Sequence, residues 1–513
     1  MSDARNDGND YDNDNDNGSG DEPDRNPFAE LGTDPELGGD PLFADDREEY
    51  ANESRLTDDP ELGDDALFQV QADRVYGALL SRVGESAPEP RLAATRRVVE
   101  LLGDPQRSYP IIHITGTNGK TSTSRIAESI LRAYGLRTGL MTSPHLVRVN
   151  ERIVIDGAPI SNEALVANWD DISPYLDLVD GELDTAGEPR LTYFEALTAL
   201  AFASFADAPV DVAVVEVGMG GEWDSTNVGD GQVAVFTPIS LDHTARLGNT
   251  VVEIARTKSG IIKPLASVVS AAQTPEVQAE LTRAAGMTES TVVAQDTDFR
   301  VLENVVAVGG QMLSVQGLAG TYSDLFLPLF GDHQAQNAAV AIAAVEAFLG
   351  GGSQMLVGDV LAEGLATATS PGRLQVVGTD PTVLVDAAHN PDGARALTAA
   401  LRSYFTFDEV MVVIGVLDEK DGRGIVEAIA PIATRFAVTR SSSPRSVDVD
   451  ALADVVEEVA GDGITTRFDE LVEAVASARD WAAQGEKRAV LVTGSITLVG
   501  DVIALADAEG WKG

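Results

Sequence analysis

The chain has 513 residues, 82 of them acidic and 36 basic, for a formal charge of −46, and it has no cysteine. That charge argues against nucleic acid and anionic membranes as partners, since both call for a basic surface. The missing cysteine excludes disulfides, thiol catalysis and cysteine-ligated metals, and the length predicts two or three domains.

About −27 of the charge remains after residue 65, so the folded part is acidic too. Such a surface repels its neighbours and itself, and salt screens both effects, which predicts a halophile's high-salt cytosol. No apolar run approaches the roughly 18 residues of a membrane span, and the N-terminus is acidic rather than basic and apolar. A soluble, cytoplasmic protein is expected.

Residues 1–65 are rich in Asp, Asn, Gly, Glu and Pro, and predict a disordered acidic tail with too little apolar area to offset chain entropy. Asp12, Asp14 and Asp16 begin like a calcium loop, but Asn17 and Pro23 stand where glycine and glutamate are needed. Residues 33–43 and 57–68 are near-duplicates, which a tandem duplication in a tolerant tail explains. Helical spacing follows over 92–102. The β-branched run 111–114 then predicts a buried strand, with a glycine loop and a helix from about Ser122 behind it. Further apolar runs at 138–141, 210–217, 233–238 and 267–272 read as strands, and 191–205 as a buried helix. Strands alternating with helices predict a mostly parallel sheet. Residues 300–330 suggest a small β subregion, and 335–349 a helix. A boundary is expected between Gly350 and Pro371, followed by strands at 382–385, 409–414 and 489–492. The expected domains are thus 1–65, 66–370 and 371–513.

The stretch from Thr115 through Gly116, Thr117, Asn118 and Gly119 to Lys120 and Thr121 turns backbone N–H groups and a helix N-terminus toward one point. That arrangement suits a polyphosphate, with Lys120 reaching the terminal phosphates and Thr121 a Mg²⁺ ion. The strict phosphate-loop pattern fails only at Ile114, where it has glycine. Glu216 ends a strand beside a glycine-rich turn, a position suited to Mg²⁺. His243 follows another strand; a lone histidine is more often structural, but this one sits at a strand C-terminus on the presumed active face. Lys258, read alone, is a solvated lysine. Arg373 after a tight turn suits a phosphate. Asp386 and His389 end the first strand of the last domain, where they can serve ribose and phosphate or simply a turn.

Taken in order, the motifs form a specific series. T-G-T-N-G-K-T at 115–121 is followed by T-S-P-H-L at 142–146, T-Y-F-E at 192–195, E-V-G-M-G-G at 216–221 and D-S-T-N at 224–227. Then come L-D-H-T-A-R-L-G at 241–248, T-K-S-G-I-I-K-P at 257–264, H-Q-A-Q-N-A at 333–338 and P-G-R at 371–373. D-A-A-H-N-P at 386–391 and G-V-L-D-E-K-D at 415–421 complete it. Over residues 66–505 the chain resembles the folylpolyglutamate synthase/dihydrofolate synthase group of Mur-ligase-like ATP-dependent amide ligases.

That resemblance implies an α/β fold, with a Mur-ligase-type P-loop ATPase domain, a smaller Rossmann-like domain and ATP between them. It implies a ligase that joins L-glutamate to dihydropteroate, adds γ-linked glutamates to folate, or does both, through an acyl phosphate. Ser143, Glu216 and His243 match the family's Mg²⁺ ligands. Asn337, Arg373 and Asp386 match nucleotide contacts, with His389 nearby. Lys258 matches a lysine carried as a carbamate that helps hold a second Mg²⁺. Thr192, Tyr193, Phe194 and Glu195, with Trp223, Asp224 and Ser225, match stretches that contact the pterin. A monomer is expected. Glu222-Trp223 replaces the usual Arg-Leu, exchanging a cation for an anion beside the pterin. The alternatives are a ligase for a non-folate acid and a non-catalytic nucleotide-binding module.

Overall fold

Three sheets organise the described residues, and the two larger ones present strand C-termini to the site. The computed structural model describes residues 64–84 and 89–511. The expected acidic tail, the calcium-loop hint and the first near-duplicate lie outside the described residues. Only the end of the second near-duplicate falls inside, in the helix Asp64–Leu80.

The first sheet has eight strands, β1 (Ile111–Thr115), β2 (Thr138–Met141), β3 (Ile153–Ile155), β4 (Ala158–Pro159), β5 (Val212–Glu216), β6 (Gly231–Phe236), β7 (Ser267–Ser270) and β8 (Thr291–Ala294). Their order is β4-β3-β2-β5-β1-β6-β7-β8, parallel from β2 to β8, with β3 and β4 added antiparallel. The central strands β1 and β5 are buried at every residue, which is why they read as continuous apolar runs rather than alternating ones. One face is covered by the helix Tyr193–Asp207, which is buried nearly all round. The other is covered by the helix Lys120–Ala133, against which the helix Asp332–Gly350 packs.

The small β subregion expected near 300–330 is an antiparallel sheet of β9 (Arg300–Ala307), β10 (Gly310–Gln316) and β11 (Thr321–Leu327). The third sheet holds β12 (Gln375–Thr379), β13 (Thr382–Asp386), β14 (Glu409–Ile414), β15 (Arg435–Val438), β16 (Thr465–Arg467) and β17 (Arg488–Thr493), in the order β12-β13-β17-β14-β15-β16. All its pairs are parallel except β12 with β13. Apolar clusters cover both its faces. Among the described residues no helix is long and apolar enough to cross a membrane.

The helix behind the phosphate loop starts at Lys120, two residues before the expected Ser122. Gly119, at φ +87°, takes the N-cap position with no capping side chain, leaving the first turn's N–H groups facing the loop.

Candidate active site

The C-termini of β1, β2, β5 and β6 gather the chemistry-bearing residues of the first sheet, and those of β13, β14 and β17 face the same cleft. Gly116, at φ +152°, lies so close to β6 that a β-carbon there would sit 1.9 Å from Thr237 Oγ1. The loop is tied to the segment after β6: the Thr117 and Asn118 N–H groups donate to Pro238 O at 2.9 and 3.4 Å. Thr117 Oγ1 donates to Ser240 O and accepts from Ser240 N, each at 3.0 Å.

Two lysines converge on this loop. Lys120 Nζ donates to Gly116 O and Thr117 O at 3.3 and 3.2 Å. Lys258 Nζ, from the helix Val251–Ser259, donates to the same Gly116 carbonyl at 2.8 Å. Lys258 is buried, and burial followed by the charge of Lys120 lowers its pKa to about 7. The solvated lysine that Lys258 suggests when read alone is therefore absent; it is a buried amine held against the phosphate loop.

Glu216 ends β5 and is buried; burial raises its carboxyl, opposed by Lys120 and by hydrogen bonds. Thr121 Oγ1 donates to both its oxygens, at 3.1 and 3.0 Å, and the Ser143 N–H reaches Oε2 at 3.4 Å. A carboxylate and a threonine hydroxyl thus meet beside the phosphate loop, with the Ser143 backbone N–H against the carboxylate. This hard, oxygen-rich set fits Mg²⁺, which takes one or two carboxylates and completes its shell with substrate phosphates and water. Among the described residues no three His, Asp or Glu side chains cluster as a ready metal cage.

His243 adopts a left-handed conformation, φ +49°, and its N–H donates to Asp242 Oδ1 at 2.9 Å. Lys420 Nζ reaches the same oxygen at 3.0 Å. His243 Nε2 and His389 Nε2 lie 3.9 and 4.0 Å from Asp242 Oδ2. Burial, then Lys420, lowers both histidines to about 4, so both are neutral at pH 7. Burial alone would raise Asp242, but His243, Lys420 and His389 hold its carboxyl well below the usual carboxylate range. His389 Nδ1 donates to Ala387 O at 2.9 Å.

On the far side, Asn118 and Asn390 exchange amide hydrogen bonds at 3.4 and 3.0 Å. Asn337 packs against Gly119, where a β-carbon would lie 2.5 Å from its Oδ1. Among the described residues the Arg373 guanidinium makes one hydrogen bond, at 3.4 Å to the Gly372 carbonyl. Asp386 accepts from Leu374 N at 2.7 Å and Ala388 N at 2.9 Å, so its first task is to shape the turns around Arg373 and His389. Ser495, just beyond β17, caps the helix Ile496–Glu509.

The stretches expected at the pterin divide. Thr192 and Glu195 form a capping box for the helix Tyr193–Asp207, and Arg91 donates to both Glu195 oxygens at 3.1 and 3.2 Å. Tyr193 lies under the Arg152 guanidinium at 5.2 Å. Phe194 packs against the glycine-rich turn, at Gly218. Asp224 is buried and accepts from the Met219 and Thr226 N–H groups at 2.8 and 3.0 Å, and from the Thr226 hydroxyl, so it braces the same turn. Ser225 is buried, and Trp223 stays half-exposed beside Gly220. Sequence reasoning passed over Lys420, Asn390, Arg91 and Asp242 as individual residues. Asp242, Asn390 and Lys420 carried a signal as members of quoted motifs; Arg91 carried none.

Two family models match the chain: the Mur ligase middle domain over residues 114–345 and the Mur ligase glutamate ligase domain over residues 372–496. A dihydrofolate synthase/folylpolyglutamate synthase of Mycobacterium tuberculosis is 45% identical over 437 residues, 81% of this chain and 90% of that one. The structure of a Mycobacterium tuberculosis folylpolyglutamate synthase complexed with ADP superposes with a TM-score of 0.81 at 43% identity, covering 86% of this chain and 99% of that one. The structure of Escherichia coli FolC in complex with DHPP and ADP does so with a TM-score of 0.72 at 30% identity, covering 82% and 94%.

Proposed function

The chain belongs to the Mur ligase family, in its dihydrofolate synthase/folylpolyglutamate synthase branch, and from that premise we propose how its own residues perform the ligation. It is an ATP-dependent acid–amino-acid ligase that joins L-glutamate to dihydropteroate, extends folate by γ-linked glutamates, or does both. A substrate carboxylate attacks the γ-phosphorus of ATP, giving an acyl phosphate and ADP. The amine of L-glutamate then attacks the acyl carbon, and inorganic phosphate leaves.

The observation that carries the assignment of residues is the convergence of Lys120 and Lys258 on the Gly116 carbonyl, with Glu216 and Thr121 beside them. Lys120 and Arg373 orient the triphosphate and offset charge on the transferred phosphoryl group. The backbone of 115–119 cradles the phosphates, with Asn337 and Asp386 on the nucleoside side. Ser143, Glu216 and His243 would hold Mg²⁺, which when bound supplies charge neutralisation at the phosphate oxygens. A second ion is expected with Lys258 as its carbamate. A lysine of pKa about 7 is half neutral at pH 7, and the neutral amine is the form that adds CO₂. Phe194 and Trp223 would flank the pterin, with Thr192, Tyr193, Glu195, Asp224 and Ser225 shaping that wall.

Other readings complete the proposal. The ligase acts as a monomer in the cytoplasm of a halophile, with the domain division near 370. Its activity and folding then improve as KCl approaches molar concentrations, and an optimum in dilute buffer would remove the halophile reading. The deciding experiment measures ADP release in high KCl with Mg²⁺, ATP and L-glutamate, with either dihydropteroate or a folate monoglutamate. Release with dihydropteroate establishes the first reaction, release with folate the second, and release with both a bifunctional enzyme. No release with either, from folded ATP-binding protein, points to a non-folate acid, the second reading favoured by Glu222-Trp223.

A further inference from the structure

One ion pair joins the third sheet to the phosphate-loop side of the cleft. Lys420 sits in the loop between β14 and the helix Gly422–Ile429, 178 residues from its partner Asp242. Their side chains are only 9% and 14% exposed, so the pair is largely withdrawn from water, as Arg82–Asp180 is and as exposed pairs such as Arg190–Asp184 are not. A desolvated pair of this kind depends on both partners, because either one alone leaves an uncompensated charge.

The Asp242 carboxylate has more than one task. Oδ1 accepts the Lys420 ammonium and also the His243 N–H, so the bond that supports the left-handed backbone at His243 shares its acceptor with the lysine. Oδ2 faces the Nε2 atoms of both His243 and His389. Two residues upstream, Ser240 is bonded in both directions to Thr117 of the phosphate loop. A continuous path therefore runs from Lys420 through Asp242 and Ser240 to Thr117, crossing from the third sheet to the first.

We propose that Lys420 is a positioning residue for the ligation: by clamping Asp242 it docks the β14 loop against the phosphate-loop side and sets the His243 turn and His389 in place. The proposal rests on the ligase reading, since it takes the residues around Asp242 to be the reacting centre. Lys420 acts through Asp242 and needs no contact with substrate. Losing it misplaces the reacting groups while the phosphate loop, on the other sheet, keeps its nucleotide.

The test is a double-mutant cycle with Lys420→Met, Asp242→Asn, the double variant, and Lys420→Arg as the conservative control. The expected result is a fall in kcat of about 10²-fold for either single variant, with ADP affinity within about threefold of the parent. The double variant falls no further, and Lys420→Arg recovers most of the loss. Wild-type kcat for Asp242→Asn beside a crippled Lys420→Met would overturn the proposal, because Lys420 would then be meeting substrate directly. Additive losses, or an ADP affinity that falls in step with kcat, would overturn it as well. Thermal unfolding of the same proteins without substrate is scored separately: coupled midpoints support the clamp, and independent ones refute it. A wild-type protein that ligates nothing would sink the ligase reading, and the unfolding cycle would still decide whether Lys420 and Asp242 act as a unit.

Discussion

The sharpest structural prediction concerns a single methyl group. In Gly116→Ala the new β-carbon would stand 1.9 Å from Thr237 Oγ1, 2.9 Å from Thr237 O and 3.0 Å from the Thr237 carbonyl carbon. The hydroxyl can rotate away, but the carbonyl cannot, because Thr237 is held from both sides. Its N–H donates to Thr115 O at 2.8 Å, and its oxygen accepts from Gln273 Nε2 at 3.0 Å. Alanine also disfavours φ +152°. The loop has to retreat by several tenths of an ångström to about 1 Å, which carries the Gly116 carbonyl away from Lys120 and Lys258. Overpacking of this kind costs about 1–3 kcal/mol in stability, and a 1 Å displacement of positioning groups costs about 10²-fold in rate. The assay is ADP formation at saturating substrates, with ADP affinity by calorimetry and the midpoint of thermal unfolding. Removing the hydroxyl and the γ-methyl while keeping the carbonyl, by Thr237→Ala in the same background, should recover part of the stability and little of the rate. A Gly116→Ala enzyme with kcat and ADP affinity within about twofold of the parent would refute the reasoning, since the loop would then tolerate a displacement of that size.

Further expectations follow from individual groups. Lys258→Ala should lose most ligase turnover, and if the lysine acts as a carbamate, millimolar short-chain carboxylates should restore part of it; restoration by simple amines instead would contradict the carbamate. Glu216→Gln should raise the Mg²⁺ requirement and lower kcat by about 10²-fold or more, as removal of a single positioned charge does elsewhere, and an unchanged Mg²⁺ titration would remove Glu216 from the metal site. Buried His113 donates or accepts at Thr226 Oγ1 at 2.9 Å, and burial, then Lys263, lowers its pKa to about 3. Its neutral form is the folded one, so its contribution is fully present above pH 6.5 and is lost as pH falls toward 3, by at most about 4–5 kcal/mol. His113→Gln should therefore flatten the stability profile over that window, and a profile parallel to the parent's would refute the assignment.

What could be read from the chain and what could not differ in one physical respect, the range over which the information is local. The strands β1, β5, β13 and β17 announce themselves because each is buried on both faces and carries a mostly apolar run, with polar residues chiefly at its ends. The phosphate loop was visible because glycine and lysine occur where a backbone must turn and reach within a few residues. T-Y-F-E at 192–195 shows how far such locality extends. Its Thr and Glu carry the signature of a helix N-terminus, and in the fold they cap that helix, whichever ligand passes nearby. Arg91, which holds Glu195 from 104 residues away, has no local signature at all. The same holds for the contacts that assemble the cleft: Lys258 with Gly116 spans 142 residues, Asp242 with Lys420 spans 178, and Asn118 with Asn390 spans 272. Lys258, Asp242, Lys420, Asn118 and Asn390 each fall in a motif that marks them singly, but spacing along the chain does not say which of them meet. The burial of Lys258 is the instructive case. Its sequence neighbours suit a solvated lysine, and only the packing of its helix against the glycine-rich turn and phosphate loop takes the amine out of water and brings its pKa to about 7. Tertiary packing thus makes a buried amine of a lysine that its own stretch, read without the family resemblance, would leave in solvent.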